Sequence, residues 1–327
     1  MHISSLFSAA FGADQPAATT QAPPAAAVPA AAAPAAAAPA LLQPVLPRGG
    51  TWRMVLAMAL SGTIGLLVVE SGLPALWVVW LRCLFGGLGL AAWVAYTRQW
   101  QSPTRREWGW LGVGGVALVC NWVGLFSAYR YSSIAVATVV YHVQPFVLLV
   151  LAAVFQCEAL PFRKLPWLGL ALLGVVLSSG LDGTQASRAA WPGVALALGA
   201  ATLYAVATLA TQRLRRLAPA QIAMLQMGLG VLVLAGPVAV WGGAAVLSAR
   251  AWGAVLVLGL VHTACMYTLM YAAFQRLPAQ AVAGLSFIYP VVALGVDLLW
   301  FGARPTVAQW AGMALILGAV AAYRRKV

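Results

Sequence analysis

From Trp52 to Tyr323 the chain alternates long apolar runs with short polar hinges, a pattern that predicts helices crossing a membrane. A crossing helix needs about 20 consecutive apolar residues. Ten runs reach or approach that length: 52–70, 75–96, 108–129, 134–155, 165–181, 190–212, 221–246, 252–274, 279–301 and 306–323. The first is the weakest, with 16 uncharged residues between Arg53 and Glu70. Trp52, Trp77, Trp108, Trp167, Trp191, Trp252 and Trp310 fall near the proposed ends, where interfacial aromatics belong.

Residues 1–49 break the pattern. From Gln15 to Pro47 the chain is almost entirely Ala, Pro, Gln and Thr. Repeated prolines interrupt helix, and too few large apolar side chains are present for a core. This segment reads as a disordered tail. It lacks the basic n-region and continuous apolar h-region of a signal peptide.

Composition strengthens the membrane reading. The apolar fraction is 63% and the charged fraction 8%, against roughly 45–50% and 25% in soluble domains. Net charge is +13, but the basic residues cluster between apolar runs. That placement orients helices in a bilayer and argues against a nucleic-acid partner. With the N-terminus inside, the inner segments hold fourteen Lys and Arg (Arg48, Arg53, Arg98, Arg105, Arg106, Arg163, Lys164, Arg213, Arg215, Arg216, Arg276, Arg324, Arg325, Lys326). The outer loops hold four: Arg130, Arg188, Arg250 and Arg304. The bias predicts both termini inside.

Features recur at an offset of about 145 residues. Pro74-Ala75 matches Pro219-Ala220, Ala128-Tyr129 matches Ala273-Phe274, and Pro145 matches Pro290. Trp167-Leu168-Gly169 matches Trp310-Ala311-Gly312 at 143. Two homologous halves follow, 50–187 and 188–327. Five helices per half is an odd number, so the second half enters the membrane inverted. The predicted fold is all-α, ten transmembrane helices as two inverted five-helix repeats. Inverted repeats are a signature of secondary transporters. Pro145 and Pro290 lie inside helices, where each removes a backbone donor; they read as hinges or as tolerated membrane prolines.

These features resemble the drug/metabolite transporter superfamily, of the ten-helix EamA type. The resemblance covers 52–323 and rests on a combination of loose motifs. These are Leu81-Arg82-Cys83, Ala128-Tyr129-Arg130-Tyr131-Ser132-Ser133 with Pro145-Phe146, and Glu158 followed by Trp167-Leu168-Gly169. In the second half stand Pro290, Phe301-Gly302 and Gln309-Trp310-Ala311-Gly312. Ala303 stands where the pattern has a second acid, so Glu158 reads more simply as a polar residue at a helix end. The resemblance implies carriage of amino acids, nucleotide-sugar-like metabolites, amines or drugs, often outward across the cytoplasmic membrane. It also implies a cavity lined by helices 1–4 and 6–9, with helices 5 and 10 peripheral.

Polar side chains in hydrocarbon are costly and usually face a cavity or a partner. Arg82 stands about two turns into helix 2. Glu70 and Asp297 fall at similar depth, so Arg82 is expected to pair with one of them, as a static tie or as part of an anion-binding gate. Asn121, His142, Gln144, Tyr204, His262, Tyr267 and Tyr289 fall toward mid-membrane. His142 and His262 titrate near physiological pH. With Asp297 and Glu70 they are the candidates for proton coupling. Trp122, Tyr141 and Phe287 are candidates for an aromatic wall, or plain packing. Gly86, Gly87, Gly89, Gly109, Gly112, Gly114 and Gly115 suit close helix contact.

Other chemistries find little support. No GxxxxGK[ST] motif, HExxH pair or GxSG serine is present. Cys83, Cys120, Cys157 and Cys265 form no CxxC and read as packing residues. Nothing calls for a cofactor or a resident metal. A channel or scaffold is the alternative to a carrier, and an intramembrane enzyme is the more distant one.

Overall fold

The computed structural model describes residues 48–131, 134–178, 191–243, 248–300 and 306–325. The proposed tail up to residue 47, Phe301-Gly302, Ala303 and the basic residues Arg188, Arg304 and Lys326 lie outside them. Every regular element among the described residues is helical. Eight helices are long and apolar enough to cross a membrane. They are α1 (Gly49–Ser71), α2 (Ala75–Thr97), α3 (Arg105–Ala128), α4 (Ala137–Gln156), α6 (Trp191–Arg213), α7 (Pro219–Trp241), α8 (Ala249–Phe274) and α9 (Ala279–Trp300). At 23 residues, α1 reaches about 35 Å, enough for a hydrocarbon core of about 30 Å. Two shorter apolar helices, α5 (Leu165–Ser178) and α10 (Val307–Tyr323), occupy the fifth and tenth runs.

Local chemistry sets the ends. Thr104 and Glu107 form a capping box at the start of α3: Glu107 Oε2 accepts from the Thr104 N–H (2.8 Å) and Thr104 Oγ1 from the Glu107 N–H (3.3 Å). Thr306 and Gln309 repeat it before α10. Gly72 closes α1 at φ 61°, a left-handed position that suits glycine, and Pro74 leads into α2.

Four spans are irregular. α4 breaks between Tyr141 and Gln144, and α9 between Leu285 and Ile288. Both breaks stand just before the repeated prolines. A proline ring excludes the carbonyl four residues back, here Tyr141 and Ser286. The chain tightens into three-residue turns instead, such as Phe146 N–H to Val143 O (3.0 Å) and Tyr289 N–H to Ser286 O (3.3 Å). α1 is interrupted at Thr63 without a proline. α8 carries a π-helical stretch, Leu260–Cys265.

The packing obeys the repeat. Between the two halves the main contacts are α3 with α6, α1 with α8, α2 with α7, α5 with α10, α4 with α6, α1 with α9, α2 with α8, α3 with α7 and α4 with α9. Adding five to each number, with ten wrapping back, returns the same set. Each of these contacts joins one half to the other; the main contact inside a half is α7 with α8. Residues 45–327 cluster as one unit. α5 and α10 cross at Gly174 and Gly312, where a Cβ on either would lie 2.8 or 2.7 Å from the other's carbonyl oxygen. Only glycine permits that approach.

Candidate functional site

A residue that touches its own counterpart in the other repeat must lie on the axis that exchanges the repeats. Two pairs 145 apart do so. Trp122 of α3 meets Tyr267 of α8 edge to face at 5.7 Å, and His142 of α4 meets Phe287 of α9 at 6.4 Å. These four rings mark the centre of the molecule.

Arg82 stands beside it. Its guanidinium lies over the Trp122 ring, 4.4 Å from the centroid, an attractive placement for a cation. Nε–H donates to Thr263 Oγ1 (3.1 Å) and Nη2–H toward the His262 carbonyl (3.5 Å). Both acceptors belong to the π-helical stretch of α8. There hydrogen bonds reach five residues back, as when the Thr263 hydroxyl donates to Leu258 O (2.8 Å). Gly259, at the head of the stretch, lets α8 lie against Gly86 of α2.

His262 joins α8 to the interruption in α1: its Nε2 lies 2.7 Å from Thr63 Oγ1. The Thr63 hydroxyl donates to Leu60 O (2.8 Å), which leaves its oxygen to accept from His262 Nε2–H. His262 Nδ1 then faces the Val257 carbonyl at 3.4 Å.

A second group surrounds Tyr141. Asn121, fully buried, donates through Nδ2 to Tyr141 Oη (3.1 Å) and to the Ala200 carbonyl (2.7 Å). The carbonyl can only accept, which fixes the amide's orientation. Asn121 Oδ1 is left buried without a partner, as is Gln144 Nε2. Tyr141 packs edge to face on Tyr204 at 6.2 Å. His142 stacks on Tyr289 at 5.4 Å and bonds through Nδ1 to Thr138 O (2.6 Å). Tyr204 Oη reaches Met270 of α8 (3.4 Å).

Glu70 has another partner than Arg82. It forms an ion pair with Arg250 at the start of α8 and accepts from Trp300 Nε1–H (3.4 Å). It sits at the end of α1, where a carboxylate reaches the neighbouring helix end more easily than the bundle interior. Asp297 lies on α9; its side chain is outside the described residues. Pro145 and Pro290 stand at the helix breaks described above.

Several residues of this site carry weak sequence signals. Thr63 and Thr263 are ordinary membrane threonines until the interruption and the π stretch turn them inward. Gln226, which accepts from Tyr271 Oη, is likewise silent in the pattern. The repeat offset pairs Trp122 with Tyr267 and His142 with Phe287, but also Tyr96 with Trp241, Phe126 with Tyr271 and Phe155 with Trp300, so the sequence does not say which pairs touch. Among the described residues no three His, Cys, Asp or Glu side chains gather as a metal would require. The centre offers aromatic faces, one guanidinium, one free amide oxygen and one bridging imidazole.

Comparison with known proteins agrees with this architecture. The model of the EamA-like transporter family matches the chain twice, over residues 50–180 and 191–324. The uncharacterized transporter YxxF of Bacillus subtilis (strain 168) is 32% identical over 275 residues, covering 82% of this chain and 87% of its own. An uncharacterized transporter of Archaeoglobus fulgidus is 26% identical over 274 residues, covering 84% and 95%. A protein of known crystal structure, 20% identical, superposes with a TM-score of 0.74 over 84% of this chain and 98% of its own, which shows a shared fold.

Proposed function

The chain belongs to the EamA-like transporter family, a multi-pass membrane protein of a kind that points to transport rather than catalysis, and on that premise we propose that it is a secondary carrier working by alternating access. It moves small metabolites (amino acids, amines or drug-like compounds) outward across the cytoplasmic membrane, with both termini inside. The observation that supports this most is the packing: every main contact between the halves has an exchange-related equivalent. Two halves that fit together in this way have two near-equivalent arrangements. Exchanging them opens a central site first to one side and then to the other.

A proton is the proposed coupling ion, and His262 the better placed of the two histidines. With Nε2–H donated to Thr63, a second proton on Nδ1 would gain the Val257 carbonyl as acceptor and tighten the link between α8 and α1. Glu70, held by Arg250, is the weaker candidate.

Counterflow in proteoliposomes tests the carrier reading. Saturable exchange of labelled for unlabelled solute, with no current under voltage, is the expected result. Unsaturable flux with conductance would establish a channel instead. A proton gradient driving accumulation in wild-type protein but not in His262→Gln would support the coupling; unchanged accumulation would remove it.

A further inference from the structure

Building on the carrier reading, we propose that Arg82 is the anion-binding residue of the central site and that the transported solute carries a carboxylate. The positive charge is buried and adjoins the axis through Trp122. Each carboxylate with a described side chain stands elsewhere: Glu70 pairs with Arg250, Glu107 pairs with Arg216, and Glu158, in the hinge after α4, has Oε1 3.5 Å from the Ala279 N–H at the start of α9 and a buried, unpartnered Oε2. Of the five N–H bonds of a guanidinium, Arg82 directs two to neutral acceptors, Thr263 Oγ1 and the His262 carbonyl. Neither carries charge, and the ring face of Trp122 supplies only a partial counter-charge.

The repeat makes the charge one-sided. The counterpart of Arg82 at the 145-residue offset is Met227, fully buried and apolar. One cation on one side of an aromatic axis suits a monoanion. A dianion such as a phosphate ester would call for a second fixed cation, and among the described residues the other Arg and Lys stand at helix ends or in the hinges between helices. The planar guanidinium fork matches a carboxylate edge to edge. The rings of Trp122 and Tyr267 offer a wall to a flat apolar body.

Purified full-length protein in detergent is titrated with phenylacetate, with its neutral isostere phenylacetamide, and with 2-phenylethylamine, reading thermal unfolding. Phenylacetate is expected to raise the unfolding temperature saturably, and the other two are not. In Arg82→Gln the phenylacetate midpoint rises at least tenfold, and in Arg82→Lys it rises less. Equal stabilisation by phenylacetate and phenylacetamide in the wild type overturns the proposal, and that comparison needs no variant to fold. An unchanged midpoint in Arg82→Gln overturns it too. Asp297→Asn separates a static ion pair from an anion site. The proposal expects its midpoint to stay within twofold of wild type. Recovery of stability in the Arg82→Gln/Asp297→Asn double variant over Arg82→Gln alone would instead make Asp297 the counter-ion and end the proposal. Counterflow of an amine or neutral solute without carboxylate binding would sink the anion assignment alone. Phenylacetate binding without counterflow would sink the carrier reading alone.

Discussion

Two contacts that the repeat makes equivalent, α1 against α8 and α6 against α3, are built differently. The α6/α3 contact joins two uninterrupted helices and is tied at mid-span by Asn121 Nδ2 to the Ala200 carbonyl. The α1/α8 contact joins a helix broken at Thr63 to a helix with a π stretch, tied by Thr63 and His262. Each is capped near one end by an ion pair, with the signs exchanged. Glu70 ends α1 and Arg250 starts α8; Arg216 follows α6 and Glu107 starts α3. Because each helix traverses the bundle, the two ion pairs sit at opposite ends. Equivalent positions thus share a scaffold while differing in helical regularity. The irregular contact carries the histidine and adjoins Arg82; under the proposed carrier mechanism, α1/α8 is the contact expected to rearrange with ligand or proton.

The glycines carry the comparison to the faces beside it, α8 against α2 and α3 against α7, which the repeat also makes equivalent. Gly259 and Gly114 are counterparts, 145 residues apart. A Cβ on Gly259 would stand 2.6 Å from Phe85 Cβ and 3.1 Å from the Gly86 nitrogen, neither of which can swing away. A Cβ on Gly114 would stand 2.6 Å from Gln226 Nε2, the end of a flexible side chain. Gly259→Ala should destabilise by about 1–3 kcal/mol as an overpacked site does, and Gly114→Ala by less, measured by unfolding in detergent. Equal losses would mean that α8 against α2 and α3 against α7 are equally tight.

Smaller effects sharpen the same contrast. His262→Leu and Asn121→Leu each remove a buried polar tie and should each cost about 1 kcal/mol. Their transport should diverge, with His262→Leu slowing counterflow well beyond Asn121→Leu. Matching rates would erase the functional difference between the contacts. α4 and α9, by contrast, break alike. Pro145→Ala and Pro290→Ala should therefore slow counterflow to a similar extent, and a one-sided effect would confine hinge motion to one half.

The ion pairs come last. Exposed pairs are worth about 0–1 kcal/mol. The link to Glu107 holds the Arg216 guanidinium above its ordinary pKa, the hydrogen bond to the carboxylate being the main cause. Glu107→Gln and Glu70→Gln should barely change unfolding at ordinary salt. A double exchange, Glu107→Arg with Arg216→Glu, should restore whatever either single change loses. A large, salt-insensitive loss in one pair alone would identify it as a latch stronger than its exposure suggests.

Much of this architecture is written in the chain itself. Eight apolar runs are long enough to cross, because hydrocarbon admits only helices that satisfy their own backbone. The offset linking Pro145 to Pro290 locates the breaks in α4 and α9, because a proline ring displaces the carbonyl four residues back wherever the helix lies. Depth is also legible, since rise per residue is fixed. Azimuth is less so. The sequence placed Arg82, Glu70 and Asp297 at similar depth, and only packing turned Glu70 toward Arg250. Thr63 carries no breaker, and its interruption arises where α1 meets the π stretch of α8. Side-chain periodicity within one helix says nothing about which neighbour another helix will present. The meeting of Trp122 with Tyr267, and of Arg82 with Thr263 and the His262 carbonyl of α8, was decided by how the two halves close around each other.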